Sequence, residues 1–293
     1  MQNNFVFKPS LEIIWRSSYE KSNATQIQDQ KSGFENKIPA QAVLQNFMLE
    51  RLLERISVSK YKDIFILKGG MLIASMIGIG SRTTMDMDGT IQGYPLLDAT
   101  IQSVFTEFCS ISLNDDVTLI LNSITPIRDE DEYGGYRLMI TARYETINTP
   151  LKVDITTGDI ITPEAVRYIF HSSFEEKMIE IWAYNIETIL TEKVETILRR
   201  SVLNTRPRDF YDVYILMKTH QHMVDKELLI GALNATARRR ASMTALRDQR
   251  EILQAIRSDP PMRQRWDLYC RDNFYANDIE FDEVIKSLNE IMN

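Results

Sequence analysis

Cysteine and histidine are scarce. Two cysteines, Cys109 and Cys270, and three histidines, His171, His220 and His222, are spread over 293 residues. Apart from one His-x-His they show no metal-ligand spacing, which excludes a zinc scaffold or a disulfide framework and fits a reducing cytoplasm. Long apolar runs are missing as well: residues 67–79 come nearest, and Lys68 and the glycines break them. No membrane span is expected. Met1-Gln2-Asn3-Asn4 lacks a basic stretch leading into an apolar one, so no signal peptide is expected either. Positive charge is in deficit, with a net charge of -7. Taken alone, that argues against a nucleic-acid partner.

The distribution of charge points the other way. Residues 190–271 hold 16 Lys and Arg against 10 Asp and Glu, a surplus of six positive charges, and residues 272–293 hold one Lys and six acids. Hydrophobic content of 44% is ordinary for a globular chain, and the length allows two modest lobes. Residues 1–36 are polar and irregular and read as an arm. Residues 37–165 read as a mixed α/β lobe. A helical pattern over 39–57 and a short buried strand Ile64-Phe65-Ile66-Leu67 lead into Gly69-Gly70, a helix over 71–77 and a strand around residue 86. A helix over 95–109 and strands over 117–127, 136–144 and 151–155 follow. After Pro163 strand patterns stop, and residues 166–293 read as an all-helical lobe, with helical period over 174–217 and 225–257.

Chemistry concentrates at Thr83-Thr84-Met85-Asp86-Met87-Asp88-Gly89. In a strand, alternate residues share a face, so Asp86 and Asp88 stand together about 7 Å apart while Met85 and Met87 point into a core. Carboxylates that close raise each other's pKa, and a hard divalent cation such as Mg2+ relieves the repulsion. Gly69-Gly70 after a strand lets backbone N–H groups approach a phosphate at a helix N-terminus. Asp154 in Leu151-Lys152-Val153-Asp154-Ile155 faces away from its apolar neighbours and completes a set of three acids, which suits metal-assisted phosphoryl or nucleotidyl transfer. Asp159 is a loop acid with no assigned role.

On the helical side, Lys193, Ile197 and Arg200 share a face by spacing, so Lys193 and Arg200 can reach a triphosphate. Arg208, Asp209 and Asp212 cluster at the next helix start, where either acid serves equally as a cap or as an arginine's partner. A solvated charged face is the plain alternative for Lys193.

The ordered set Lys68-Gly69-Gly70, Arg82-Thr83-Thr84-Met85-Asp86-Met87-Asp88, Lys152-Val153-Asp154-Ile155, Glu192-Lys193 and Arg208-Asp209-Phe210-Tyr211-Asp212 resembles the AbiEii family. These are toxins of bacterial abortive-infection toxin–antitoxin systems, related to the MenT toxins. The resemblance spans roughly residues 37–217. It implies a DNA polymerase β-like nucleotidyltransferase lobe followed by a helical lobe, Mg2+-dependent use of a nucleoside triphosphate, and restraint by a cognate antitoxin. It further implies tRNA as acceptor at its 3′ end.

On that resemblance Asp86, Asp88 and Asp154 hold metal, with Asp154 completing the cage or serving as general base. Lys193 binds triphosphate, and Asp209 and Asp212 position Lys193 or the acceptor. Gly69 and Gly70 admit the nucleotide, and Arg82, Arg200 and Arg208 are phosphate contacts. Met71 stands where many nucleotidyltransferases carry Ser, so Ser81 or backbone N–H groups must replace that hydroxyl. Arg238, Arg239, Arg240, Arg247 and Arg250 are the candidate RNA surface.

Other readings stay open. Asp86-Met87-Asp88-Gly89-Thr90-Ile91 also resembles the nucleophile motif of haloacid dehalogenase-like phosphatases, although polar Arg82-Thr83-Thr84 precede it and no downstream strand ends in two adjacent acids. A calcium loop fails because Gly89 falls at the fourth position and Leu97 at the twelfth. A transferase acting on a protein or small-molecule hydroxyl and a binding module with a dead site complete the set.

Overall fold

The computed structural model describes residues 38–93, 97–127 and 134–292. The expected arm over 1–36 and the start of the helix expected from Pro95 lie outside them. The chain runs through helix α1 (Ala40–Val58), strand β1 (Phe65–Lys68), helix α2 (Gly69–Ile77), strand β2 (Asp86–Ile91) and helix α3 (Asp98–Ser110). Strands β3 (Val117–Ile127), β4 (Gly135–Tyr144) and β5 (Ile147–Thr156) follow, then β6 (Val166–His171) and β7 (Met178–Ala183). The remainder is helical: α4 (Ile186–Arg200), α5 (Pro207–His220), α6 (Lys226–Arg239), α7 (Met243–Arg247), α8 (Gln249–Ser258), α9 (Pro260–Asp272) and α10 (Phe281–Met292).

All seven strands form one mixed sheet in the order β3-β4-β5-β2-β1-β7-β6. β2 runs parallel to β5 and β1 parallel to β7, and the other neighbours are antiparallel. Alternation separates the two faces. Phe65, Leu67, Met87, Leu138, Ile140, Leu151, Val153, Ile155, Ile179 and Ile181 are buried on the face covered by α1 and α3. By register, Lys68, Asp86, Asp88, Lys152, Asp154 and Arg137 occupy the opposite face.

Three expectations need correction. Strand patterns do not stop at Pro163: β6 and β7 join the sheet, so a boundary at 165/166 would cut through it, and the helical part begins only at Ile186. The β7 sequence Met178-Ile179-Glu180-Ile181-Trp182-Ala183 has strand period, and its burial alternates, but α4 starts three residues later and its own apolar period carries backwards over it. Met85 is not in the core. It precedes β2 and is 43% exposed, whereas Met87 is fully buried. The helix expected over 71–77 begins two residues earlier, at Gly69, whose φ of +69° turns the chain out of β1.

The sheet hands over to the helices directly. The Tyr184 N–H donates to the Leu67 carbonyl at 3.0 Å, and the Asn185 side chain caps α4 by accepting from the Thr188 N–H at 2.7 Å. Such a cap contributes about 1 kcal/mol. Among the described residues no helix is long and apolar enough to cross a membrane.

Candidate active site

Helix α1 fixes the approach to β2 from below. The Gln45 side-chain amide donates to the carbonyls of Met85 and Pro150, at 3.2 and 2.7 Å, and Asn46 donates to that of Thr84 at 2.9 Å. The backbone entering Asp86 is thereby held against β5. Sequence reading passed over both amides, because mid-helix Gln and Asn look like ordinary surface residues.

Register then sets the carboxylates. Asp88 lies opposite Asp154 and Asp86 opposite Lys152 across β2 and β5, while Arg137 of β4 lies opposite Asp154 on the other side. Lys152 Nζ is 2.6 Å from Asp86 Oδ2. Arg137 grips Asp154 with two parallel bonds of 2.8 Å. Among the described residues Asp88 has no hydrogen bond and no ion pair. Burial raises its pKa, the charges of Asp86 and Asp154 raise it further, and Lys68 and Lys193 oppose the rise. For Asp86 burial acts in the same direction, but Lys152 and the Thr84 hydroxyl outweigh it and hold the carboxyl below its usual value.

Both glycines are demanded by side chains. Gly69 has φ +69°, and a Cβ there would fall 2.0 Å from Asp88 Oδ2. At Gly70 a Cβ would sit 2.8 Å from the Thr84 hydroxyl and 2.9 Å from the Arg82 guanidinium. The pair lets the first turn of α2 lie against the carboxylate face, a close approach that no larger residue permits.

Lys193 is not a surface lysine. Its side chain is 16% exposed, and Nζ lies 2.6 Å from Asp209 Oδ1 and 3.0 Å from Asp212 Oδ2, both buried acids at the start of α5. Burial would lower its pKa, but the two acids raise it on balance and keep the ammonium charged. Arg82 is no free phosphate contact either: it is 2% exposed, and its Nε donates to Asp212 at 2.8 Å. Asp212 therefore joins Lys193 of α4 to the segment leading into β2. Arg206 takes the other oxygen of Asp209 at 3.1 Å.

The charge of Arg208 reaches Asp86 and helps to lower its pKa. Ser81 contributes its carbonyl, which accepts from the Tyr211 hydroxyl. Arg200 lies two helical turns beyond Lys193, about 10 Å along the axis, and its Nε has no hydrogen-bond partner among the described residues. Arg240 turns inward and pairs with Glu195 at 2.8 Å and Glu192 at 3.1 Å, whereas Arg238, Arg239, Arg247 and Arg250 are exposed.

A second, half-buried group borders the first. Lys68 Nζ lies 2.6 Å from Asp159 and 2.7 Å from the Thr156 hydroxyl, and the Tyr184 hydroxyl donates to the same Asp159 oxygen at 2.9 Å. Asp159 thus anchors Lys68 beside Asp88. Its sequence signal was the glycine-led loop after β5, too weak to assign.

In kind, the donors suit a divalent cation: three hard carboxylates share a face, and the central one is half-buried and has no hydrogen bond or ion pair among the described residues. As they stand, however, no three His, Cys, Asp or Glu among the described residues are gathered to hold a metal ion. Lys152 and Arg137 occupy the two flanking carboxylates.

Residues 51–287 match the model of a family of nucleotidyl transferases. That family is the AbiEii toxin of type IV toxin–antitoxin systems, and the chain belongs to it. No curated protein matches the chain. Two solved structures from Helicobacter pylori are similar: a provisionally assigned nucleotidyltransferase, 17% identical, covering 87% of this chain and 94% of its own with a TM-score of 0.47, and JHP933, 16% identical over 87% and 91% with the same score. At that score the likeness adds nothing to the family assignment.

Proposed function

We propose that the protein transfers a nucleotide from a nucleoside triphosphate to the 3′ end of tRNA, with Mg2+, in the cytoplasm, and that a cognate antitoxin restrains it. Family membership makes it a nucleotidyltransferase toxin. The observation that carries the finer reading is the register of Asp88 against Asp154, with Gly69 pressed onto Asp88 and the charge of Lys193 reaching it.

Asp86, Asp88 and Asp154 would hold the ion, which when bound supplies charge neutralisation for the triphosphate. The chain's own residues do the rest. Lys193, kept charged by Asp209 and Asp212, meets the β- and γ-phosphates and stabilises the departing pyrophosphate. Arg82 positions Asp212 and so acts through Lys193. Arg208, whose charge reaches Asp86, is the further phosphate contact. Asp154 accepts the proton of the acceptor hydroxyl as its oxygen attacks the α-phosphorus in line.

The test is incubation of the purified protein with each labelled triphosphate, Mg2+ and total cell RNA or protein, beside Asp88→Asn. Label entering RNA from the parent protein alone supports the reading. Label entering protein would move the acceptor to a protein hydroxyl, and no label in either would defeat nucleotide transfer to a macromolecule.

A further inference from the structure

The carboxylate face carries two cations that sequence reading gave no role. Lys152 stands two residues before Asp154 on the same face of β5, and Arg137 stands beside Asp154 on β4. Neither is needed for the core: their side chains are 35% and 44% exposed, and their recorded ion pairs go to Asp86 and Asp154 respectively. Between those neutralised acids lies Asp88, without a partner among the described residues. A divalent ion held by Asp88 and Asp154 would have to share an oxygen with the guanidinium that bonds both Asp154 oxygens, and one held by Asp88 and Asp86 would compete with the ammonium on Asp86 Oδ2. Like charges at that distance repel strongly.

Position decides where the displaced cations go. Lys68, on β1, and Lys193 act on Asp88 as favourable charges, and Lys193 is fixed to the start of α5. Lys152 and Arg137 belong to β5 and β4, on the other side of β2 in the sheet. With the triphosphate assigned to Lys193, the β4–β5 side is left for the acceptor. Arg143 continues the same face of β4 by its even spacing from Arg137, and it is exposed.

We propose that Lys152 and Arg137 are exchangeable counter-ions: they neutralise Asp86 and Asp154 in the metal-free protein, and when a divalent cation takes those oxygens they turn to the backbone phosphates of an RNA acceptor. The inference rests on the nucleotidyl-transfer reading for the identity of the acceptor, but not for the exchange itself. Cation loading would then uncover acceptor contacts, so metal and RNA binding reinforce each other.

Two equilibrium measurements on the full chain test this without turnover. In a Mn2+ titration without nucleotide, Arg137→Gln and Lys152→Gln should each bind Mn2+ roughly threefold more tightly, the scale of a half-exposed ion pair removed from competition. Arg137→Lys, which keeps the charge, should stay near the parent value. In binding of bulk tRNA with Mn2+ present, Arg137→Gln should bind severalfold more weakly and with a shallower salt dependence, because a phosphate contact is gone. Unchanged or weaker Mn2+ binding in both Gln variants would overturn the exchange. Unaltered tRNA affinity and salt slope would overturn the acceptor role. A parent protein that transfers no label yet shows both shifts defeats the transfer reading and leaves the exchange standing.

Discussion

Gly69→Ala probes the contact on which the whole carboxylate face depends. At φ +69° an alanine is forced into the left-handed region, at a cost of about 1–2 kcal/mol. Its Cβ would also lie 2.0 Å from Asp88 Oδ2 and 2.7 Å from Asp88 Cβ and Cγ. Asp88 has to move, and overpacking of that kind costs about 1–3 kcal/mol more. The sum is about 2–5 kcal/mol, which lowers Tm by roughly 5–15 °C in a domain of this size. Asp88→Gly removes all three colliding atoms. In that background Gly69→Ala should therefore cost only the backbone strain, giving a coupling of about 1–3 kcal/mol between the two positions. Urea denaturation of the parent, both single variants and the double variant, in EDTA, measures this. An equal cost of Gly69→Ala in both backgrounds would refute the collision and with it the reason given for glycine at 69.

Lys193→Ala should lower stability by about 2–3 kcal/mol, somewhat less than for a fully orphaned buried charge, because Arg206 still serves Asp209 and Arg82 still serves Asp212; chemical denaturation showing no loss would return Lys193 to a solvated role. Burial pushes Glu50 up to about 7 against the hydrogen bonds from Ser172 and Ser173. A raised folded pKa means that the stability it contributes is full below its ordinary value of 4.5 and is lost as pH rises through about 7. Thermal melts from pH 5 to 8 should thus fall more steeply for the parent than for Glu50→Gln, and parallel curves would remove Glu50 from the account. Arg240→Gln should destabilise the α4–α6 contact by about 1–3 kcal/mol, since it removes one of the two arginines on buried Glu195 and leaves only Arg199 on the other oxygen; Arg238→Gln should stay within about 0.5 kcal/mol, and equal melting temperatures for the two would contradict the inward placement of Arg240.

Much of the carboxylate face was legible because it is written in period two. Alternation alone put Asp86 and Asp88 together and turned Asp154 away from Val153 and Ile155, and the structure keeps that arrangement. The same rule would have placed Lys152 beside them, but a lysine next to an acid reads as a solvated flank. Burial of Lys193 was not legible. Its partners, Asp209 and Asp212, come from the next helix, and nothing within α4 distinguishes an ammonium held between two acids from one in water. β6 and β7 were lost for the opposite reason: their pattern was present, but it runs into a strongly periodic helix after only two intervening residues.

The parallel pairing of β1 with β7 also dictates when the molecule can come into being. Leu67 stands beside Ala183, and its carbonyl receives the N–H of Tyr184. A nascent chain must therefore carry β1 with one edge bare through the synthesis of every strand up to β7, and such late closure over a long loop is slow and prone to aggregation. Arg82 likewise waits for Asp212, and Lys193 for Asp209. A fragment ending near residue 165 would lack the strand that covers β1, the helix that bears Lys193 and the acids that hold it. Translation itself thus acts as a timer, withholding the assembled carboxylate face and its lysine until most of the polypeptide has left the ribosome.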